Sequence, residues 1–284
     1  MLRVAVPNKG SLAEPASTML RESGYRQRQD TRELVLQDPE NDTEFFFLRP
    51  RDIAVYVGSG RLDLGITGRD LLLDSGAAAE EILALGFGQS TFRFAARPGT
   101  ASTVADFAGQ RVATSYGGLL ARFFADHGVD AEVIRLDGAV ETAVRLGVAD
   151  VGADVVSTGT TLRQAGLEIV GEPILESEAV LVRRSGPPDQ QAAAGVDQLV
   201  RRIQGVIIAR RYVLMDYDVR SDLVDAAVRL TPGIESPTVS PLHEEGWVAV
   251  RAMVLRAETH RTMDELWELG ARGILVTDIH ACRL

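Results

Sequence analysis

Along the first two thirds of the chain, short runs of β-branched and other apolar residues alternate with stretches in which apolar positions recur every three to four residues. The runs fit buried strands and the stretches fit helices packed on them, so the pattern predicts a mainly parallel sheet with crossover helices, an α/β architecture. Residues 2–7 (LRVAVP) read as a strand, residues 11–24 as a helix with Ser11 as N-cap and Gly24 as its stop, and residues 44–50 (EFFFLRP) as a further strand.

A weak repeat crosses this pattern. Residues 60–65 and 147–152 both read G-x-x-D-x-G, 87 residues apart, and each copy follows a helical stretch and opens a short strand. Two readings stay open: a chance match, or two lobes of similar build facing each other across a cleft lined by the polar ends of corresponding strands. Residues 90–99 (STFRFAARPG) read as the crossing into the second lobe and residues 176–184 (ESEAVLVRR) as the return strand. The first lobe then comprises residues 1–90 and 184–211, and the second, residues 91–183, is a continuous insertion in it.

After a helical stretch over residues 189–202 the pattern changes at about Tyr212. From there it predicts strand 212–219, helix 222–229, strand 236–240, strand 247–254, helix 262–270 and strand 273–279. This βαββαβ order is ferredoxin-like, an arrangement used by many small effector-binding (ACT-like) domains, and it assigns residues 212–284 to regulation or assembly.

Composition narrows the function. A length of 284 residues suits two or three compact units, 45% hydrophobic and 25% charged residues suit a soluble globular chain, and no apolar run approaches the roughly 18 residues of a membrane helix. The N-terminus shows no secretory pattern, so the cytoplasm is the expected compartment. A single cysteine, Cys282, and four histidines without ligand spacing argue against a disulfide scaffold or a metalloenzyme. A net charge of −10 argues against non-specific contact with nucleic acid or an anionic membrane, so an anionic ligand needs a local positive site. Lys9 is the only lysine and the other 29 basic residues are arginine. Codon bias accounts for the arginines, whereas a compact ammonium in a tight turn suits a phosphate.

The stretch with most chemistry is residues 153–162 (ADVVSTGTTL), a strand of small and β-branched residues that ends in a Ser/Thr/Gly turn before a helical run. Gly159 permits the turn, Ser157, Thr158, Thr160 and Thr161 offer hydroxyls, and the first N–H groups of the helix point at whatever anion fills the loop. Asp154 stands where it can accept hydrogen bonds from sugar hydroxyls. A carboxylate would repel bare phosphate, so a phosphorylated sugar explains loop and acid together, while an ordinary capped turn is the plain alternative.

Residues 141–162 (ETAVRLGVADVGADVVSTGTTL) closely resemble the signature of ATP phosphoribosyltransferases, with Gly152 where that family usually has isoleucine or valine. A glycine there loses side-chain contacts and is expected to loosen the strand. Residues 7–12, 45–70 and 83–92 also resemble the family's first lobe, and the C-terminal unit resembles the regulatory domain of its long form. The resemblance implies a two-lobed, type II periplasmic-binding-protein-like catalytic core followed by the ferredoxin-like domain. It implies that N1 of ATP displaces pyrophosphate from phosphoribosyl pyrophosphate, with Mg²⁺ on the pyrophosphate, as the first step of histidine synthesis.

By the same resemblance Lys9, Arg49 and, at one remove, Arg32 stabilise the phosphates, and Glu141 and Asp154 hold the ribose hydroxyls. Asp70, Ser90 and Tyr116 match positions lining the nucleotide pocket, with plain packing the alternative for Tyr116. Arg51 and Arg69 read equally well as solvated charges. Asp218, Ser236, Thr238 and Gly273 match or adjoin a site for histidine between neighbouring regulatory domains, which implies feedback inhibition in a homo-oligomer from dimer to hexamer. Two other classes fit a two-lobed cleft. A small-molecule binding protein would carry an export signal, and a prephenate dehydratase-like enzyme would carry a Thr-Arg-Phe tripeptide that Thr91, Phe92 and Arg93 offer in the wrong order.

Overall fold

The computed structural model describes residues 1–156, 159–186 and 192–283. The chain divides into two compact units, Met1–Arg21 with Tyr25–Gln198, and Glu22–Gly24 with the residues from Leu199 onward. Among the described residues no helix is long and apolar enough to cross a membrane.

The first unit begins with β1 (Leu2–Pro7), α1 (Ala13–Glu22), β2 (Val35–Asp38), β3 (Thr43–Leu48), α2 (Pro50–Gly58), β4 (Leu64–Gly68), α3 (Arg69–Ser75) and β5 (Ala79–Ala84). A second lobe follows with β6 (Ser90–Ala96), β7 (Arg111–Thr114), α4 (Gly117–His127), β8 (Glu132–Arg135), α5 (Val140–Leu146), β9 (Val151–Val156), α6 (Thr160–Gln164) and β10 (Glu168–Ser177). The chain then returns through β11 (Ala179–Arg184) to α7 (Ala193–Arg211).

The strands form one sheet per lobe, in the orders β2-β3-β1-β4-β11-β5 and β10-β6-β9-β7-β8. At their centres β1 lies parallel to β3 and β4, and β7 lies parallel to β8 and β9. Val4, Ala5 and Val6 of β1 are wholly buried, which is why this strand reads as a continuous apolar run. The second lobe is packed around Phe92, Phe94, Phe107, Leu120 and Phe124.

The repeat is a structural one. Gly60 and Gly147, at φ +73° and +74°, close the turns after α2 and α5 in the left-handed region that glycine enters without penalty. Three residues on, the Asp63 carboxylate accepts the backbone N–H of Arg3 at 2.7 Å while its own N–H donates to the Arg3 carbonyl at 2.9 Å. Asp150 does the same to Arg111, at 3.0 and 2.9 Å. Gly65 and Gly152 then admit the preceding helix: a Cβ on Gly65 would run into Ile53, and one on Gly152 would stand 2.9 Å from Val140. Gly152 is therefore a site of close helix–strand approach, and the expected loosening of the strand does not occur.

Some boundaries differ from those the pattern predicts. Helix α1 starts at Ala13, with Ser11 in the preceding turn. Residues 176–184 divide between the two sheets, so the chain re-enters the first lobe at β11, before residue 184, and β11 pairs with β4 and β5. Helix α7 runs to Arg211, beyond the expected 202, and the division between units falls inside it, after Gln198. An unbroken helical period carries no mark of that division, because Leu199, Ile203, Val206 and Ala209 continue one buried face to the end of the helix.

The second unit continues with β12 (Tyr212–Arg220), α8 (Val224–Leu230), β13 (Thr238–Pro241), β14 (Trp247–Leu255), α9 (Thr259–Leu269) and β15 (Arg272–Asp278). Its sheet is antiparallel in the order β13-β14-β12-β15, the ferredoxin-like arrangement. Val213, Met215, Tyr217 and Val219 alternate inward and pack with Ala227 and Leu266 of the two helices.

Candidate active site

Strand β9 ends at the turn that the sequence singles out, and α5 delivers a second carboxylate beside it. Glu141, Asp154, Gly159 and Thr161 line one cavity of about 190 Å³, together with Arg93 and Val155. Ser157 and Thr158 lie outside the described residues. Gly159 takes φ +68°, as a tight strand-to-helix turn requires, and Thr160 accepts a hydrogen bond from Arg163 at 3.3 Å. Burial pushes the Asp154 carboxyl above the usual range, and the nearby Glu141 and Asp70 carboxylates push the same way. The backbone N–H of Val155, 2.7 Å from Asp154 Oδ1, and the more distant Arg51 pull it back.

Two residues before Glu141, Ala139 sits at φ +51°, one of two described non-glycine residues in the left-handed region. Ala139 is the N-cap residue of α5, whose first turn carries Glu141.

Val155 also lines a second cavity, of about 360 Å³, so the two share a wall. This one holds Lys9, Asp70, Ser90 and Tyr116, drawn from both lobes, with Ser177 between the sheets. Asp70 is 7% exposed and accepts a hydrogen bond from Ser177 Oγ at 2.9 Å, whose oxygen in turn accepts the Asp70 backbone N–H at 3.0 Å. A Cβ on Gly68 would meet the Asp70 carboxylate and push it from this position. Tyr116 packs edge-on to Phe92 at 5.3 Å, and burial together with the nearby Asp70 carboxylate raises its phenol well above the ordinary value. A neutral hydroxyl and a fixed carboxylate in a half-apolar pocket can read the polar edge of a planar base.

Arg49 caps α2 directly after β3 but is exposed, and Arg32 is an exposed residue whose backbone N–H donates to Asp30. Neither lines the two cavities. Arg51 and Arg69, read as possible solvated charges, are both engaged. Arg69 pairs with Glu81 at 2.8 Å and with Glu178 at 3.4 Å, and Arg51 pairs with the buried side chain of Asp74 at 3.0 Å. Sequence reasoning does not single out Arg93 or Asp74. The signal for Asp74 was its place in the last turn of α3, where an acid opposes the helix dipole and therefore answers to another partner.

In the second unit, Asp218 and Gly273 come together: Gly273 is at φ +59°, and a Cβ there would stand 3.2 Å from Asp218 Oδ2. Thr238 begins β13, on the far side of β14, opposite Arg251, and the exposed Ser236 precedes it. The sheet thus separates these four residues into two pairs towards opposite edges. Among the described residues no group of three or more His, Cys, Asp and Glu side chains could hold a metal ion.

The family profile described as "ATP phosphoribosyltransferase" matches residues 49–205, and that described as "HisG, C-terminal domain" matches residues 209–281. The chain is 65% identical to the ATP phosphoribosyltransferase of Streptomyces avermitilis and 66% identical to that of Paenarthrobacter aurescens, in each case over the whole of both chains. Among solved structures it is similar to a chain of the "ATP phosphoribosyl transferase (HisG:HisZ) complex" of Thermotoga maritima, with a TM-score of 0.60 at 24% identity, covering 72% of this chain and 99% of that one. That likeness concerns the fold. With a two-lobed core, paired carboxylates beside a Gly-Thr-Thr turn and an appended ferredoxin-like unit, the chain belongs to the ATP phosphoribosyltransferase family, the transferases of the first step of histidine synthesis, in its long form with the C-terminal domain.

Proposed function

We propose that the cavity at Glu141 and Asp154 holds the phosphoribosyl group of phosphoribosyl pyrophosphate and that the adjoining cavity at Lys9, Asp70, Ser90 and Tyr116 holds ATP. The observation that carries this reading is the shared wall at Val155, which sets the carboxylates of Glu141 and Asp154 next to a second cavity of about 360 Å³. The two acids take the ribose 2′ and 3′ hydroxyls, and the Ser/Thr/Gly stretch 157–161 takes the 5-phosphate. N1 of adenine forms its bond to C1 of the ribose as the bond from C1 to pyrophosphate breaks, giving N1-(5-phosphoribosyl)-ATP and pyrophosphate. As the ring gains positive character, Glu141 and Asp154 stabilise it electrostatically, and the N1 lone pair needs no general base. The ion belongs to the substrate, as a magnesium complex of phosphoribosyl pyrophosphate, since Mg²⁺ keeps several waters and binds chiefly through phosphate oxygens. Lys9, Arg49 and Arg32 serve the departing pyrophosphate.

Histidine is the proposed effector, with Asp218 binding its ammonium group. Because Asp218 with Gly273 and Ser236 with Thr238 lie towards opposite edges of one sheet, a complete site takes one pair from each of two neighbouring copies, so the working form is a homo-oligomer.

The reaction is tested by mixing protein, ATP, phosphoribosyl pyrophosphate and Mg²⁺ and following the adduct by ultraviolet absorbance. Asp154→Asn is expected to raise KM for phosphoribosyl pyrophosphate by about tenfold or more, the scale of a lost charged hydrogen bond, with KM for ATP little changed. Unaltered kinetics in that variant would remove Asp154 from the site.

A further inference from the structure

Tyr116 is held in its cavity from outside, by two side chains of the first lobe that line neither cavity. Asp74 closes α3 with its side chain only 5% exposed. Its Oδ1 accepts the backbone N–H groups of Gly118 and Leu119, at 2.8 and 3.1 Å, which are open donors at the start of α4 in the second lobe. Its Oδ2 pairs with Arg51 Nη1 at 3.0 Å. That same nitrogen donates to the Ser115 carbonyl at 2.8 Å, and the guanidinium lies 4.9 Å from the centre of the Tyr116 ring. The approach is so close that Gly118 can carry no side chain, because a Cβ would strike the Asp74 carbonyl. Residues 115, 116, 118 and 119 are thereby fastened across the cleft, with Tyr116 between Arg51 outside and Asp70 within.

We propose that Arg51 and Asp74 are positioning residues that clamp the start of α4 to the first lobe and so hold Tyr116 over Asp70 in the pose that receives the nucleotide. The proposal rests on the reading of that cavity as the ATP site. Neither residue lines a cavity, so their effect passes chiefly through Tyr116 and falls on ATP, the pull of Arg51 on the Asp154 carboxyl being the lesser effect.

The test uses the full-length enzyme with each substrate varied at saturating levels of the other. Arg51→Met is expected to raise KM for ATP about tenfold and Asp74→Asn severalfold, while KM for phosphoribosyl pyrophosphate stays within about twofold. Asp74→Asn keeps an oxygen for the two helix N–H groups, so it isolates the lost charge from any failure to fold. The double variant is expected to be scarcely worse than Arg51→Met, as both changes break one contact. Arg51→Lys keeps the charge but loses the flat face against Tyr116, and an intermediate KM is expected. Variants that melt at lower temperature while retaining both KM values would overturn the proposal, since that is what a purely structural role gives. Asp70→Asn serves as the control. If it raises KM for ATP and Arg51→Met does not, the clamp is refuted and the cavity assignment stands; if neither shifts KM for ATP, the assignment falls and takes the clamp with it.

Discussion

Asp154 works against the stability of its own fold. Its carboxyl is raised chiefly by burial, so the folded chain holds that proton more tightly than the unfolded chain does. The associated stability is fully present below the unfolded value and is lost as pH rises through the folded value, leaving a buried charge as a net cost at neutral pH. Asp154→Asn is therefore expected to melt higher than the parent at pH 7 and to lose that advantage near pH 4, even as it binds phosphoribosyl pyrophosphate poorly. Melting curves at the two pH values check the sign; a lower melting temperature at pH 7 would contradict it. That Asp154 lies near the end of a strand was readable from the sequence. Its coupling to Asp70, 84 positions away in sequence, was not, because it arises only when the end of β9 and the start of α3 meet across a cleft. For the same reason the local pattern could not distinguish an engaged arginine such as Arg51 or Arg69 from a solvated one.

At the scale of elements, helix, left-handed glycine, clasping aspartate and a second glycine under the helix recur with the same spacing in both lobes. Gly65→Ala is expected to destabilise by about 1–3 kcal/mol, the cost of overpacking, since Ile53 and Val57 are both in the way. Gly152→Ala meets chiefly Val140 and is expected to cost about 1 kcal/mol. It should also raise KM for phosphoribosyl pyrophosphate, because Val140 adjoins Glu141 and any shift of α5 moves that carboxylate. Urea unfolding and steady-state kinetics on the two variants separate these effects. The repeat was visible as letters, but its sense was not: a glycine inside a strand is read as lost packing until the helix above it is seen to need the space.

For the molecule as a whole, the order of elements in the second unit was legible from hydrophobic period, while in the first unit several, among them β2, α3, β7, α4 and β8, were not singled out, and the boundaries were less legible still. The division between units inside α7 bears on how regulation can be tested. Deleting everything from Tyr212 onward cuts through the unit to which Ile203, Val206 and Ala209 belong and removes most of it. A point change is cleaner. Asp218→Asn is expected to raise the histidine concentration for half-inhibition by about tenfold or more, the scale of a lost charge-assisted hydrogen bond, with both substrate KM values unchanged. Inhibition as strong as in the parent would remove Asp218 from the effector site.

The twin clasps of Asp63 and Asp150 separate what the frame needs from what the ligands need. Each anchors its lobe through main-chain atoms of a neighbouring strand, several residues short of the tips that face the cleft. The tips can therefore drift in sequence, and with them the choice of ligand, while the two halves keep their shape; a new specificity could be grafted onto either half without redrawing the other.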